Sequence, residues 1–192
     1  RIIPSLGKPL KTQFYVLNEN LDGAEKLLDQ AEVFIDFFTR NFGQYPWINE
    51  KLGIVNTPYW GMEHQTIIAY GNKYKKTKMG YDGLLFHEMG HEWWGNFLSV
   101  SDWSDFWIPE GFTTYAEALY IEENFGVTAY HAFMQNTCRK NIRNDKPLVG
   151  NKYATTNEIK GTEYYYKGAY VLHMLRYLVG YDVLLETLKE FL

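Results

Sequence analysis

His87 and His91 stand four residues apart in the run His87-Glu88-Met89-Gly90-His91, with Glu88 beside the first. On a helix, residues i and i+4 project from one face about one turn apart. Two imidazoles so placed can share one zinc ion, and the adjacent glutamate can act as general base toward a water at that ion. Two ordinary helix histidines would satisfy the same short pattern. Glu110 separates the two readings, because an open catalytic zinc site needs a third protein ligand.

Spacing selects among zinc chemistries. A metzincin carries a glycine three residues after the second histidine and a third histidine three further on. Here those positions are Trp94 and Phe97, so that class is excluded. Eighteen residues separate His91 from Glu110, which lies in Phe106-Trp107-Ile108-Pro109-Glu110-Gly111-Phe112. This run opens a second helical pattern. Pro109 is acceptable there, since the first helical turn has no use for its missing N–H. A glutamate on a second helix then completes a His-His-Glu ligand set of His87, His91 and Glu110.

The constellation resembles the aminopeptidase N family of zinc metallopeptidases, a group of gluzincins. That family has H-E-x-x-H, eighteen residues, then a glutamate in the context W-L-N-E-G-F, matched here by Trp107-Ile108-Pro109-Glu110-Gly111-Phe112. Trp94-Gly95-Asn96 is similar to the segment that follows the family's second histidine. Upstream, the family's G-x-M-E-N is matched by Trp60-Gly61-Met62-Glu63-His64. Downstream, its Y-x-K-G is matched by Tyr165-Tyr166-Lys167-Gly168. Four motifs occur in the family's order over residues 60 to 168.

The resemblance implies roles. Glu63, with Gly61 and Met62, would bind a substrate with a free N-terminus by its α-amino group. Tyr165 would stabilise the oxyanion, and Glu88 would be the base. The implied enzyme is a zinc-dependent aminopeptidase that hydrolyses the N-terminal peptide bond of peptides with a zinc-activated water. Two departures stand out: Trp60 replaces the family's first glycine, and His64 replaces its asparagine. Asp105 and Glu117 are candidates to orient the histidine ligands through their ring N–H groups. Asp105 is equally placed to cap the helix that follows. Glu117 lies two helical turns beyond Glu110 on the same face. Two rival readings are a weakly active or non-catalytic module that kept the fold, and an epoxide-opening relative such as the leukotriene hydrolases.

The elements that must position these residues can be read from periodicity. Ala24, Leu27, Leu28, Ala31, Phe34, Ile35 and Phe38 predict a helix over 21–42, closed by Gly43 and Pro46. Residues 52–55 and 66–70 read as short strands, and 8–16 as a strand or the entry from an upstream domain. Helices are expected over 81–98, 106–125, 129–143 and 162–178, with a closing helical pattern at Leu184, Leu185 and Leu188. Residues 73–78 read as a solvated basic loop, and 145–161 as a loop rich in turn formers. Strands first and helices afterwards give an α+β, mostly helical arrangement, a small mixed sheet before a helical lobe. The resemblance makes this a thermolysin-like catalytic fold. It also implies that residues 1–192 form part of such a domain, flanked in a parent protein by an N-terminal β-rich domain and C-terminal helical domains.

Bulk properties agree. The sequence is 46% hydrophobic over 192 residues, which excludes a disordered chain and allows a substantial core. A formal net charge of -4 excludes the basic footprint of a nucleic-acid binder. Cys138 is the single cysteine, so no disulfide forms within the chain. No stretch has the length of an apolar transmembrane span.

Overall fold

The computed structural model describes residues 2–5, 8–159 and 161–192. The chain divides into two compact units, residues 1–97 and 98–192.

The first unit is a mixed sheet with two helices. Its strands are β1 (Ile2–Ser5), β2 (Lys8–Tyr15), β3 (Leu52–Asn56), β4 (Gly61–Met62) and β5 (Ile67–Tyr70), in the order β1-β2-β3-β5-β4. β2, β3 and β5 run parallel, and β1 and β4 pair antiparallel at the two edges. Between β2 and β3 runs α1 (Leu21–Phe42). It buries Ala24, Leu27, Ala31, Phe34, Ile35 and Phe38, the stripe its periodicity predicts. It stops at Gly43, whose φ of 102° lies where glycine alone is comfortable and whose N–H reaches Thr39 O at 3.1 Å.

The aromatic side of α1 is the bed for α2 (Gly83–Gly90). Phe34 and Phe38 meet Phe86 with ring centroids 5.1 and 4.7 Å apart. Phe38 stacks on Trp93 at 5.0 Å, and the Trp93 indole N–H donates to Gly43 O at 3.1 Å. Asp82 caps the start of α2: its carboxylate accepts from Leu85 N at 3.0 Å, from Asn72 Nδ2 at 2.9 Å and from the Tyr70 hydroxyl. The expected helix over 81–98 is therefore only eight residues long. Beyond Gly90 the backbone tightens into turns, Glu92 N to Met89 O and Trp93 N to Gly90 O. Gly95 then takes a φ of 134°, which ends any helical run.

The second unit is helical: α3 (Trp107–Phe125), α4 (Val127–Phe133), α5 (Glu163–Val179) and α6 (Tyr181–Glu190). Gly126 and Gly180, at φ of 86° and 91°, punctuate α3–α4 and α5–α6. The helix expected over 129–143 starts earlier, at Val127, and widens into a π-helical segment at Met134–Arg139. α3 and α5 cross with their backbones in contact at Gly111 and Gly168. A Cβ built on Gly111 would stand 2.8 Å from Gly168 Cα. A buried polar cluster braces the same unit. The Tyr130 hydroxyl meets His173 Nδ1 at 2.6 Å, and Arg176 forks onto both Glu122 oxygens at 2.5 and 2.8 Å. The loop expected over 145–161 is present as far as it is described, Lys160 lying outside the described residues. It is tied down where Tyr153 N donates to Asp102 at 2.8 Å and Gly150 N to Ser104 O at 2.7 Å.

The α+β class and the mixed sheet preceding the helices agree with the expectation, and the basic residues 73, 75, 76 and 78 are exposed loop positions. Among the described residues no helix is long and apolar enough to cross a membrane.

Candidate active site

α2 carries His87 and Glu88, and His91 is the residue that ends it. Glu88 and His91 are buried, and His87 is partly exposed. His91 Nδ1 lies 2.9 Å from Trp94 O. A carbonyl can only accept, so Nδ1 holds the proton and Nε2 presents a lone pair. That lone pair faces His87 Nε2 at 3.1 Å. Two nitrogens about 2.0–2.1 Å from one tetrahedral zinc stand about 3.3 Å apart. The donor chemistry, the tautomer and the spacing of this pair fit such an ion. A backbone carbonyl placed as Trp94 O is can fix the tautomer and ring orientation of a histidine that binds a metal.

Glu63 follows β4 and leads into the turn to β5. One donor atom each from Glu63, Glu88 and His91 lies within 4.8 Å of the others. β4 itself runs against Glu88: a Cβ on Gly61 would stand 2.6 Å from Glu88 Oε1 and 2.8 Å from Leu84 Cδ1. Met62 and Trp60 are exposed beside it, and His64 is exposed in the turn.

Glu110 sits in the first turn of α3, 3% exposed. The exposed N–H groups of a helix start favour a carboxylate there, and Pro109 costs nothing in that turn. Tyr165 lies in the first turns of α5, half-buried beside Tyr166. The Gly111–Gly168 contact fixes its helix against the one that carries Glu110, which gives a physical reason for glycine in both motifs. The N-cap position of α3 is Phe106 and not Asp105. The capping carboxylate of this segment is Asp102, which accepts from Ser104 N at 2.9 Å. Glu117 lies on α3 close enough to Cys138 and Tyr166 to raise both of their pKa values, second to burial at Cys138 and after burial and Cys138 itself at Tyr166.

Sequence reasoning passed over Glu92. It is fully buried, its Oε1 accepts from Thr66 N at 2.8 Å and its Oε2 from Asn96 Nδ2 at 3.3 Å, with Tyr45 and Trp47 alongside. Burial pushes its carboxyl up to about 7, against the lowering effect of those hydrogen bonds. The available signal was a lone carboxylate in the apolar run before Trp93 and Trp94.

The profile described as "Peptidase family M1 domain" matches residues 27–192, so the chain belongs to peptidase family M1. Among curated relatives it is 27% identical to endoplasmic reticulum aminopeptidase 2 of Bos taurus, an alignment covering 89% of this chain and 20% of that protein. It is 29% identical to leucine aminopeptidase 2 of Sclerotinia sclerotiorum, over 84% of this chain and 29% of the relative. The chain thus spans less than a third of these relatives' length. Its fold is similar to the M1 zinc metallopeptidase of Deinococcus radiodurans, with a TM-score of 0.76 at 21% identity over 100% of this chain and 42% of that one. It is likewise similar to native leukotriene A4 hydrolase of Saccharomyces cerevisiae, with a TM-score of 0.75 at 20% identity over 100% of this chain and 32% of the other.

Proposed function

We propose that this chain is the catalytic part of a zinc-dependent aminopeptidase acting on peptides with a free N-terminus. The observation that carries the reading is the convergence of Glu63 with Glu88 and His91 within 4.8 Å. A carboxylate beside the base and a metal-binding histidine sets how far the scissile bond lies from the substrate's amino group. Membership of the M1 family supports the class, as do the relatives named aminopeptidases. The Deinococcus radiodurans relative has been solved with a Tyr-Ser-Ala substrate.

His87, His91 and Glu110 would hold the zinc. When bound, zinc polarises the scissile carbonyl and makes a water acidic. Glu88 takes the proton from the attacking water and delivers it to the leaving amine. Glu63 accepts hydrogen bonds from the substrate ammonium. Tyr165 donates its phenol hydrogen to the developing oxyanion. Gly61 and Met62 form the last strand of the sheet, and the outer backbone groups of such an edge can pair with an extended peptide. Asp105 and Glu117 are the proposed outer partners of the ligands. Flanking domains of the parent chain would complete the cleft.

Elemental analysis should find one zinc per chain, lost on His87→Ala or Glu110→Ala. Zinc bound equally well by both variants would move the site elsewhere. The substrate class is tested with free and N-acetylated peptides. A charge-assisted hydrogen bond to Glu63 contributes roughly 1.5–3 kcal/mol, so free-amine substrates should have kcat/KM at least about tenfold higher. Glu63→Ala should shrink that preference with zinc content unchanged. Equal kcat/KM for both substrates in the wild-type holoenzyme would mean an endopeptidase-like site.

A further inference from the structure

The turn that follows Glu63 is held in an unusual shape. Thr66 has a φ of 60°, in the left-handed region that a β-branched residue avoids. Such a conformation persists only where its surroundings over-determine it, and three contacts do so here. Ile67 N closes the turn on His64 O at 3.0 Å, and Gly53 N on β3 donates to Thr66 O at 2.9 Å. The third is the only one made by a side chain: Thr66 N donates to Glu92 Oε1 at 2.8 Å, across 26 residues of sequence. There is no slack on the β3 side, where a Cβ on Gly53 would stand 2.5 Å from Thr66 O.

Glu92 has no part in the proposed chemistry, yet it is a fully buried carboxylate directly after His91. It links the segment that follows α2 to the turn that directly follows Glu63.

We propose that Glu92 is a positioning residue for substrate recognition: by holding the left-handed turn at Thr66, it fixes Glu63 beside Glu88 and His91. This rests on the reading of Glu63 as the group that binds the substrate ammonium.

Two conservative variants test it in the zinc-loaded holoenzyme. Glu92→Gln keeps an oxygen at the same reach from Thr66 N. Glu92→Asp keeps the charge but withdraws the oxygen by one methylene. Glu92→Gln should retain the wild-type ratio of kcat/KM for free over acetylated substrates. Glu92→Asp should lower that ratio by about fivefold or more, through KM for the free-amine substrate, the signature of lost ground-state binding. Zinc content should not change. Hydrogen exchange supplies a readout independent of turnover: amides of residues 64–67 should exchange faster in Glu92→Asp than in wild type, while those of α1 keep their protection. A merely structural glutamate would lower Tm and leave the ratio intact. A Glu92→Asp enzyme with the wild-type ratio and unchanged exchange at 64–67 overturns the assignment of Glu92. A wild-type enzyme with no preference for free amines instead overturns the aminopeptidase reading, and the substrate claim made here falls with it.

Discussion

Glu88→Gln should leave zinc in place and lower kcat by about 10² or more, the usual scale of a lost general base. The substitution isolates proton chemistry because glutamine has the shape of the side chain it replaces. That matters at this position. Glu88 is 5% exposed and lies close against Gly61, so a smaller residue would also open a gap. Its effect should fall on kcat and kcat/KM alike, since the proton moves only as the barrier is crossed. Zinc content and the preference for free amines should stay as in wild type. Wild-type turnover by a zinc-loaded Glu88→Gln enzyme would remove Glu88 from the mechanism.

Gly168→Ala is expected to destabilise the second unit, against the ordinary trend. In a helix interior, alanine normally gains roughly 0.5–1 kcal/mol over glycine. At Gly168 the new Cβ would stand 2.9 Å from Gly111 Cα and 3.2 Å from Trp107 O. These are mostly backbone atoms, which cannot swing aside as the end of a side chain can. Overpacking of this kind costs typically about 1–3 kcal/mol, so it wins over propensity. Thermal denaturation should show a Tm several degrees lower, and kcat should fall because α5 carries Tyr165 away from α3. Gly111→Ala should do the same. The double variant should cost less than the sum, because one separation of the helices admits both methyl groups. A Gly168→Ala protein with raised Tm and unchanged kcat would show that the helices are not held at this crossing.

The parts of this protein legible in its sequence are those set by local spacing. α1 spans the residues its apolar stripe predicts, because that stripe and Gly43 are both local signals. The His87–His91 pair is legible for the same reason: one helical turn brings the two rings together. The expected helix over 81–98 overshoots α2. Gly90 and Gly95 are the stop signals, and the burial of Trp93 and Trp94 beyond them comes from packing on α1 and not from helical periodicity. β4 is two residues long and exists only through its pairing with β5, so no pattern of alternation could reveal it. Glu92 was invisible because its partner is a backbone N–H in another element. Asp102 rather than Asp105 accepts the backbone N–H groups of its segment, a choice between two neighbouring carboxylates made by the loop at Tyr153.

The order in which the first unit can assemble follows from how α2 is anchored. α2 has eight residues, too few to be stable alone in water. Its fastenings are distant in sequence: Asp82 N donates to Gln30 Oε1 across 52 residues, and Trp93 to Gly43 O across 50. β2 and β3 are parallel neighbours on either side of α1, so no hairpin can zip them together. The 22-residue α1 must therefore be formed and docked before His87 and His91 acquire a fixed separation. A metal site built on His87 and His91 would accordingly form late in folding. Zinc added during refolding should be taken up in the phase that restores the near-ultraviolet aromatic signal, and not in an earlier phase in which helical structure appears.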